Sequence, residues 1–322
     1  MLMFSLPRFF CATWITVMMM MVSLQMHGYR CCLQTERKGL LELKAYLNIS
    51  EGLLELKDNI NSSYFWPTDM NSDCCQWKAV NCDITSGRVI GLFINYAYTV
   101  PPLNLSLFYP FGELRTLNFS WIPCSYWYDD IYGYESLGRL KNLEILEFSS
   151  SGLDSSILPF LNAASSLRTL VLRGNSIEGT FPIKDLKELR NLEVLDLSRN
   201  RFSGPLPDLA YLHKLEALDL SDNSFSVSSE TKGMIVHYRS NLRELDLSGN
   251  GLVGRLPLCF GSLTKLKVLD ISSNKLNGTI PSLISNLTSL EYLSLSNNEF
   301  EGFFSFELIA NLSKLKVFQT FI

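Results

Sequence analysis

A leucine-containing segment recurs about every 24 residues from residue 143 onward. Leu192–Asn200 reads LEVLDLSRN, and Leu215–Asn223 reads LEALDLSDN. The first leucine of the segment stands at positions 143, 167, 192, 215, 242, 266, 290 and 315. Because a unit this short cannot bury its apolar face alone, such copies stack on one another. The sequence therefore predicts a solenoid, and weaker copies near Val89 and Leu114 extend it towards the N-terminus.

The centre of each copy alternates apolar and polar residues, which predicts a short β-strand. In the copy from Leu192, Leu195 and Leu197 would point into the core, whereas Asp196 and Ser198 would point outward. Stacked copies bring such strands side by side, so we expect an α/β solenoid with a parallel sheet along one face.

An asparagine follows the predicted strand in most copies. It stands at positions 175, 200, 223, 250, 274 and 298. A side-chain amide can satisfy backbone groups where the chain turns inward, so the aligned asparagines would form a ladder. Ser151 replaces the asparagine in the copy from Leu143, where we expect a looser turn.

The second half of several copies contains glycine, a variable residue, an apolar residue and proline. This pattern stands at 179–182, 204–207, 254–257 and 278–281. Glycine permits a turn, and proline restricts the extended segment that follows. The complete pattern, LxxLxxLxLSxNxLxGxIP, resembles the plant-specific class of extracellular leucine-rich repeats, found in receptor-like kinases, receptor-like proteins and polygalacturonase-inhibiting proteins. The resemblance implies a right-handed superhelix with a parallel, concave β-sheet.

Residues 29–87 resemble the paired-cysteine N-terminal cap of the same plant families. A helix is predicted from Thr35, with Leu40, Leu43 and Leu47 on one face. Trp66 and the segment CCQWKAVNC at 74–82 follow it. The resemblance implies disulfide bonds from Cys32 to Cys74 and from Cys75 to Cys82, with Cys31 as an alternative to Cys32. The repeats would occupy residues 88–322, in about eight or nine copies with the last incomplete.

Residues 1–28 have the arrangement of a secretory signal peptide: Arg8, an apolar core, then polar residues. An uncleaved anchor is the alternative, and no later stretch is long and apolar enough to span a membrane. Secretion would place the chain in the extracellular space, or at the plasma membrane if the native protein is longer. It would also make seven N-x-S/T sites available to glycosylation: Asn48, Asn61, Asn104, Asn118, Asn277, Asn286 and Asn311.

The composition and motifs exclude several function classes. The net charge is −4 and no Lys/Arg-rich run occurs, which argues against nucleic-acid binding. Only three histidines are present, and neither His213 nor His237 has the spacing of a metal site. No phosphate-binding glycine loop, GxSxG or HExxH motif occurs. We therefore expect no catalysis, no cofactor and no metal.

The outward strand positions carry the candidate binding residues. Asp196, Asp219, Asp246 and Asp270 occupy the same position in consecutive copies and predict an acidic stripe. Glu244 and Asp222 would add to the stripe, Arg173 and Arg199 would interrupt it, and Tyr292 would add an aromatic contact. Such a stripe can bind a basic peptide or a basic patch of a protein, or it can serve solubility alone.

Two segments depart from the repeat pattern. Residues 121–134 are rich in tyrosine and tryptophan, which predicts either a binding loop or packing over a weak copy. The polar residues 226–233 lengthen one copy and are expected to bulge from the surface.

The resemblance implies the ligand-recognition ectodomain of a plant receptor-like protein in defence or developmental signalling. Such relatives bind a peptide, protein or glycan and signal through a co-receptor kinase. The sequence stops at residue 322 without the C-terminal cysteine cap and membrane helix of such relatives, so we expect this chain to be a shortened form. A secreted inhibitor of microbial cell-wall hydrolases and a non-functional fragment are the alternatives.

Overall fold

A computed structural model describes residues 32–47, 66, 72–95, 102–207, 209, 211–226, 241–280, 282–301 and 309–320. The predicted leader, Cys31, Asn48, Asn61, His237 and nearly all of the polar insertion lie outside these residues. The predicted signal peptide and the other expectations for those segments stay predictions.

The recurring leucine segments form one long sheet. In the described part of the chain it contains eleven short strands in sequence order, and every neighbouring pair is parallel except the first. The strands are Val80–Cys82, Val89–Phe93, Thr116–Asn118, Ile145–Glu147, Thr169–Val171, Val194–Asp196, Ala217–Asp219, Glu244–Asp246, Val268–Asp270, Tyr292–Ser294 and Val317–Gln319. This arrangement confirms the predicted leucine-rich-repeat solenoid.

The leucines of each copy build the core. Leu195 and Leu197 are completely buried, whereas Val194 and Asp196, on either side of Leu195, are half-buried. The same burial pattern recurs from strand to strand, as the alternation predicts. Each strand therefore presents its first and third residues on the outer side of the sheet.

The asparagine ladder is confirmed. The Asn223 amide nitrogen donates to the Leu197 and Leu220 carbonyls at 3.0 and 3.1 Å, and its oxygen accepts from the Phe202 amide at 3.0 Å. Ser151 is fully buried, and its hydroxyl donates to the Phe119 carbonyl at 2.8 Å. The serine thus replaces the contact between copies, although with a single donor where asparagine has two.

The glycine-proline half of the copies forms a second set of strands that the sequence did not predict. They are Leu103–Asn104, Trp127–Tyr128, Glu178–Gly179, Arg201–Pro205, Ser224–Ser226, Val253–Gly254, Lys275–Gly278 and Glu299–Phe300. Within the described residues they pair in parallel as one two-stranded and two three-stranded sheets. Gly179, Gly204, Gly254 and Gly278 all have positive φ, which glycine adopts without steric cost.

The N-terminal cap is held by the two disulfide bonds that the resemblance implied, Cys32–Cys74 and Cys75–Cys82. Its helix α1, Gln34–Tyr46, buries Leu40 and Leu43. Of the remaining cysteines in the described residues, Cys124 is buried and Cys259 is half-buried, and both are free.

Short helices lie between successive strands of the main sheet. The α-helices are α2 (Leu158–Leu161) and α3 (Ile183–Leu186), and the 3₁₀ segments are Leu105–Phe108, Gly133–Arg139, Ser155–Ile157, Leu258–Ser262 and Ser282–Asn286. A further 3₁₀ segment, Cys74–Gln76, lies in the cap before the first strand. Among the described residues, no helix combines the length and apolar character that crossing a bilayer requires.

Candidate ligand-binding face

The four predicted aspartates form a continuous row, which we call the acidic row: Asp196, Asp219, Asp246 and Asp270. They are register partners in four successive parallel strands. Neighbouring strands lie about 4.8 Å apart, so the row places four carboxylates along about 15 Å of the sheet. Val171 precedes the row and Ser294 follows it. The strands thus hold these charges in fixed positions on the outer side of the main sheet.

A serine two residues further on supports each carboxylate. The Oδ1 atom of Asp196 accepts from the Ser198 amide at 2.9 Å and from its hydroxyl at 2.6 Å. Asp219 and Asp270 make the same pair of hydrogen bonds with Ser221 and Ser272, and Asp246 accepts from the Ser248 amide at 2.8 Å. Each aspartate therefore also closes a local turn, which is a structural role beside any binding role.

The acidic row is partly desolvated. Burial raises the pKa of Asp196 and of Asp246, and the neighbouring Asp219 carboxylate raises both further. Among the described residues, the Oδ2 atoms of Asp196 and Asp246 accept no hydrogen bond. A cation placed over the row would therefore relieve repulsion and occupy free acceptors.

Tyr292 lies at one end of the acidic row. Its hydroxyl donates to the Asp270 carboxylate at 3.3 Å and lies 3.3 Å from the Gln319 side-chain oxygen. Glu244 is exposed and lies two residues before Asp246 on the same strand, so both point to the outer side. These two residues belong to the same surface as the acidic row.

The structure places Arg199 and Asp222 outside the row. Both adopt positive φ in the turn after the strand, and their side chains form an ion pair at 3.3 Å. Arg173 contacts the acidic row instead: its guanidinium lies 3.7 Å from the Asp219 carboxylate. The predicted stripe therefore separates into a row on the strands and a neighbouring row on the turns.

The aromatic segment 121–134 has both buried and exposed side chains, and its role as a binding loop stays a prediction. Trp127 is buried and contacts the Phe148 ring at a centroid distance of 4.9 Å. Trp121, Tyr126 and Tyr132 remain 55%, 45% and 42% exposed. Trp121 has positive φ at the turn position that Arg199 occupies in a later copy. Part of the segment is core, and part is surface.

Sequence reasoning missed a row of charges that precedes the strands. It consists of Glu144, Arg168, Glu193, Glu216, Arg243, Lys267, Glu291 and Lys316. Ion pairs join neighbouring copies, including Arg168–Glu193 at 2.5 Å and Arg243–Glu216 at 3.3 Å. The signal was present in the sequence, because the residue after the first leucine is charged in every one of these copies.

The described glycosylation candidates differ in exposure. Asn286 and Asn311 are exposed, whereas Asn104, Asn118 and Asn277 are half-buried. The Asn118 amide donates to the Glu147 carboxylate at 2.7 Å on the outer side of the sheet. Asn286 and Asn311 therefore offer the least hindered attachment sites of these five.

Comparison with known families supports the repeat assignment. Residues 165–225 and 240–300 match a family model described as leucine rich repeat, and residues 289–315 match a second model with the same description. The matched residues and the stacked parallel strands agree on a leucine-rich-repeat solenoid. Both models describe a repeat.

Two similar proteins are receptor-like proteins of a plant. The leucine-rich-repeat chain is 61% identical over 320 residues to Receptor-like protein 9a of Arabidopsis thaliana, covering 99% of this chain and 32% of that protein. It is 62% identical over 305 residues to Receptor-like protein 9b of the same organism, covering 94% and 31%. The chain thus spans about a third of the length of these relatives.

Solved structures show the same repeat architecture. The leucine-rich-repeat ectodomain of the Arabidopsis receptor kinase HAESA, in complex with an IDA peptide hormone, aligns with a TM-score of 0.62 and 28% identity, covering 76% of this chain and 40% of that one. A plant ice-binding protein aligns with a TM-score of 0.58 and 24% identity, covering 90% and 96%, and shows the fold alone.

Proposed function

We propose that this chain is part of the extracellular ligand-recognition region of a receptor-like protein. The identity of 61% to Receptor-like protein 9a over almost the whole chain supports this function. The HAESA ectodomain has also been solved with both the peptide hormone IDA and the co-receptor SERK1, at a TM-score of 0.61 and 27% identity over 78% of this chain. This comparison favours a peptide or protein ligand and a co-receptor. That a partner kinase transmits the signal, in defence or development, is part of our proposal and rests on the resemblance of the repeat pattern.

The acidic row is the binding surface that we propose for a basic segment of the ligand. The observation that carries the proposal is the register of four carboxylates in successive strands. An extended peptide lying across the strands would meet a carboxylate about every 4.8 Å. Because burial and mutual repulsion raise the pKa of Asp196 and Asp246, a lysine or arginine there would gain from neutralising them.

The test is a titration of the secreted, disulfide-bonded chain with a fluorescent peptide of alternating lysine and serine. We expect Asp219→Asn/Asp246→Asn to weaken binding about tenfold or more, which corresponds to about 1.4 kcal/mol. Asparagine keeps the oxygen that accepts from Ser221 and Ser248, so the turns are retained.

The matched control is Glu178→Gln/Glu299→Gln, which removes the same charge from exposed positions on the second strands. The control should bind like the wild type. The proposal is wrong if the wild type does not bind the peptide, or if both double variants lose the same affinity.

A further inference from the structure

A second charged surface lies beside the acidic row, at the start of the strands. Its cations, which we call the basic edge, are Arg243, Lys265, Lys267, Lys314 and Lys316. Together with Ser289 and Glu291, four of them line a cavity of about 280 Å³. The cavity opens on the same copies that carry the Asp246 and Asp270 carboxylates.

At the cavity, one copy has a small residue where its two neighbours have long ones. The position before the first leucine is Lys265, Ser289 and Lys314 in three successive copies. Lys265 reaches back to the Asn241 side chain at 2.7 Å, as Lys214 does to Asn191. Ser289 is too short to fill the space between the two lysines.

The basic edge has more positive charge than its neighbours neutralise. Glu291 pairs with Lys316 at 2.5 Å and with Lys267 at 3.9 Å, and these cations hold the pKa of Glu291 below its usual range. Arg243 pairs with Glu216 at 3.3 Å. Within the described residues, Lys265 and Lys314 form no ion pair. Two carboxylates thus face five cations.

The distance between the two surfaces is set by the strand. Lys267 precedes Asp270 by three residues, and Arg243 precedes Asp246 by three. With a rise of about 3.3 Å per residue, Arg243 and Lys267 lie about 10 Å from the acidic row along the strands, and Lys265, five residues before Asp270, lies about 16 Å from it. The same copies therefore present a positive region and a negative region side by side.

We infer that the basic edge binds an acidic side chain of the same peptide whose basic residues lie on the acidic row. The ligand is thus a dipolar peptide whose basic part lies across the strands on the acidic row and whose chain then turns along a strand, so that its acidic residues follow about three to five extended residues later. This inference rests on the proposed function, because it needs the ligand to occupy the acidic row. The arrangement also fixes the direction of the peptide, with its acidic side towards the start of the strands.

The test compares three fluorescent peptides of equal length on the secreted chain. The lysine-only peptide contains two lysines. The dipolar peptide contains two lysines and, three residues away, two glutamates. The third peptide has the composition of the dipolar peptide, but its lysines and glutamates alternate. We expect the dipolar peptide to bind at least about tenfold more tightly than the other two. Lys265→Gln/Lys314→Gln should remove this advantage without weakening the binding of the lysine-only peptide.

Lys184→Gln/Lys187→Gln, which removes two exposed lysines elsewhere, is the matched control and should retain the advantage. Equal binding of the dipolar and lysine-only peptides to the wild type would overturn the inference and leave the proposed function standing. An advantage that survives Lys265→Gln/Lys314→Gln would also overturn it. Failure of all three peptides to bind would instead contradict the proposed function.

Discussion

The buried asparagine is the residue on which each turn of the solenoid depends. The side-chain nitrogens of Asn200, Asn223 and Asn274 donate hydrogen bonds to carbonyls of two successive copies. Their side-chain oxygens each accept a hydrogen bond from a backbone amide in the second half of the preceding copy. This role could be predicted from the sequence, because only a side chain with both donors and an acceptor suits a buried turn at that spacing. The serine hydrogen bonds to the aspartates were not predicted, although the serine recurs as regularly.

We expect Asn223→Ala to destabilise the chain by about 2–4 kcal/mol, because it leaves the Phe202 amide and two carbonyls without their buried partner. The midpoint of denaturant unfolding measures the effect. Asn191→Ala serves as the control, since Asn191 is exposed and its two side-chain hydrogen bonds, to the Ser165 carbonyl and from the Lys214 ammonium, lie at the surface. Equal shifts for the two variants would contradict a special role of the ladder.

The affinity for a lysine peptide should depend on pH through the acidic row. Burial raises the pKa of Asp196 and Asp246, so the free protein takes up protons there at a higher pH than an ordinary aspartate, whose pKa is about 3.9. A bound cation favours the ionised form, and affinity therefore falls as the pH falls through these raised values. Titrations between about pH 4 and 7 measure this, and Asp196→Asn/Asp246→Asn should flatten the profile. If the affinity of the wild type stays constant as the pH falls to about 3.9, the acidic row does not control binding in this way.

At the scale of elements, an ion pair with a buried carboxylate attaches the N-terminal cap to the repeats. Glu36 of α1 is completely buried, accepts from the Arg88 Nε atom at 2.7 Å and accepts from the Val89 amide at 3.1 Å. Gly39 on the same helix lies so close to Pro110 that an added Cβ would be 2.9 Å from its side chain. The helix face and disulfides could be anticipated from spacing and resemblance. The Glu36–Arg88 contact could not, because no periodicity relates residues 52 positions apart.

Glu36→Gln should destabilise the cap by about 1–3 kcal/mol, since it removes the charge that balances Arg88, whose side chain is 28% exposed. The control is Glu42→Gln on the same helix, which breaks an exposed pair with Lys38 and should cost less than about 0.5 kcal/mol. Hydrogen exchange of α1 amides reports local loosening of the cap. Unchanged exchange in Glu36→Gln would show that the Glu36–Arg88 ion pair does not hold the helix in place.

At the scale of the whole molecule, the main sheet could be predicted because the strand residues follow the same pattern in every copy. The second strands could not, because glycine and proline mark a turn and an extended segment without indicating which neighbour they pair with. Of the charged surfaces, the acidic row could be predicted, because it repeats a single residue type at one position. The basic edge could not, because it arises from different residues in adjacent copies. Seeing the basic edge requires the solenoid geometry, which brings Lys265, Ser289 and Lys314 together.

Carboxylate footprinting is the measurement that tests most directly whether the acidic row binds the ligand. The secreted chain is labelled with a carbodiimide and glycine ethyl ester, with and without the dipolar peptide, and each labelled carboxylate is identified by mass spectrometry. We predict protection of Asp196, Asp219, Asp246 and Asp270, with Glu178 and Glu299 on the second strands unchanged. Protection confined to Glu178 and Glu299, or equal labelling of the acidic row with and without peptide, would contradict the account.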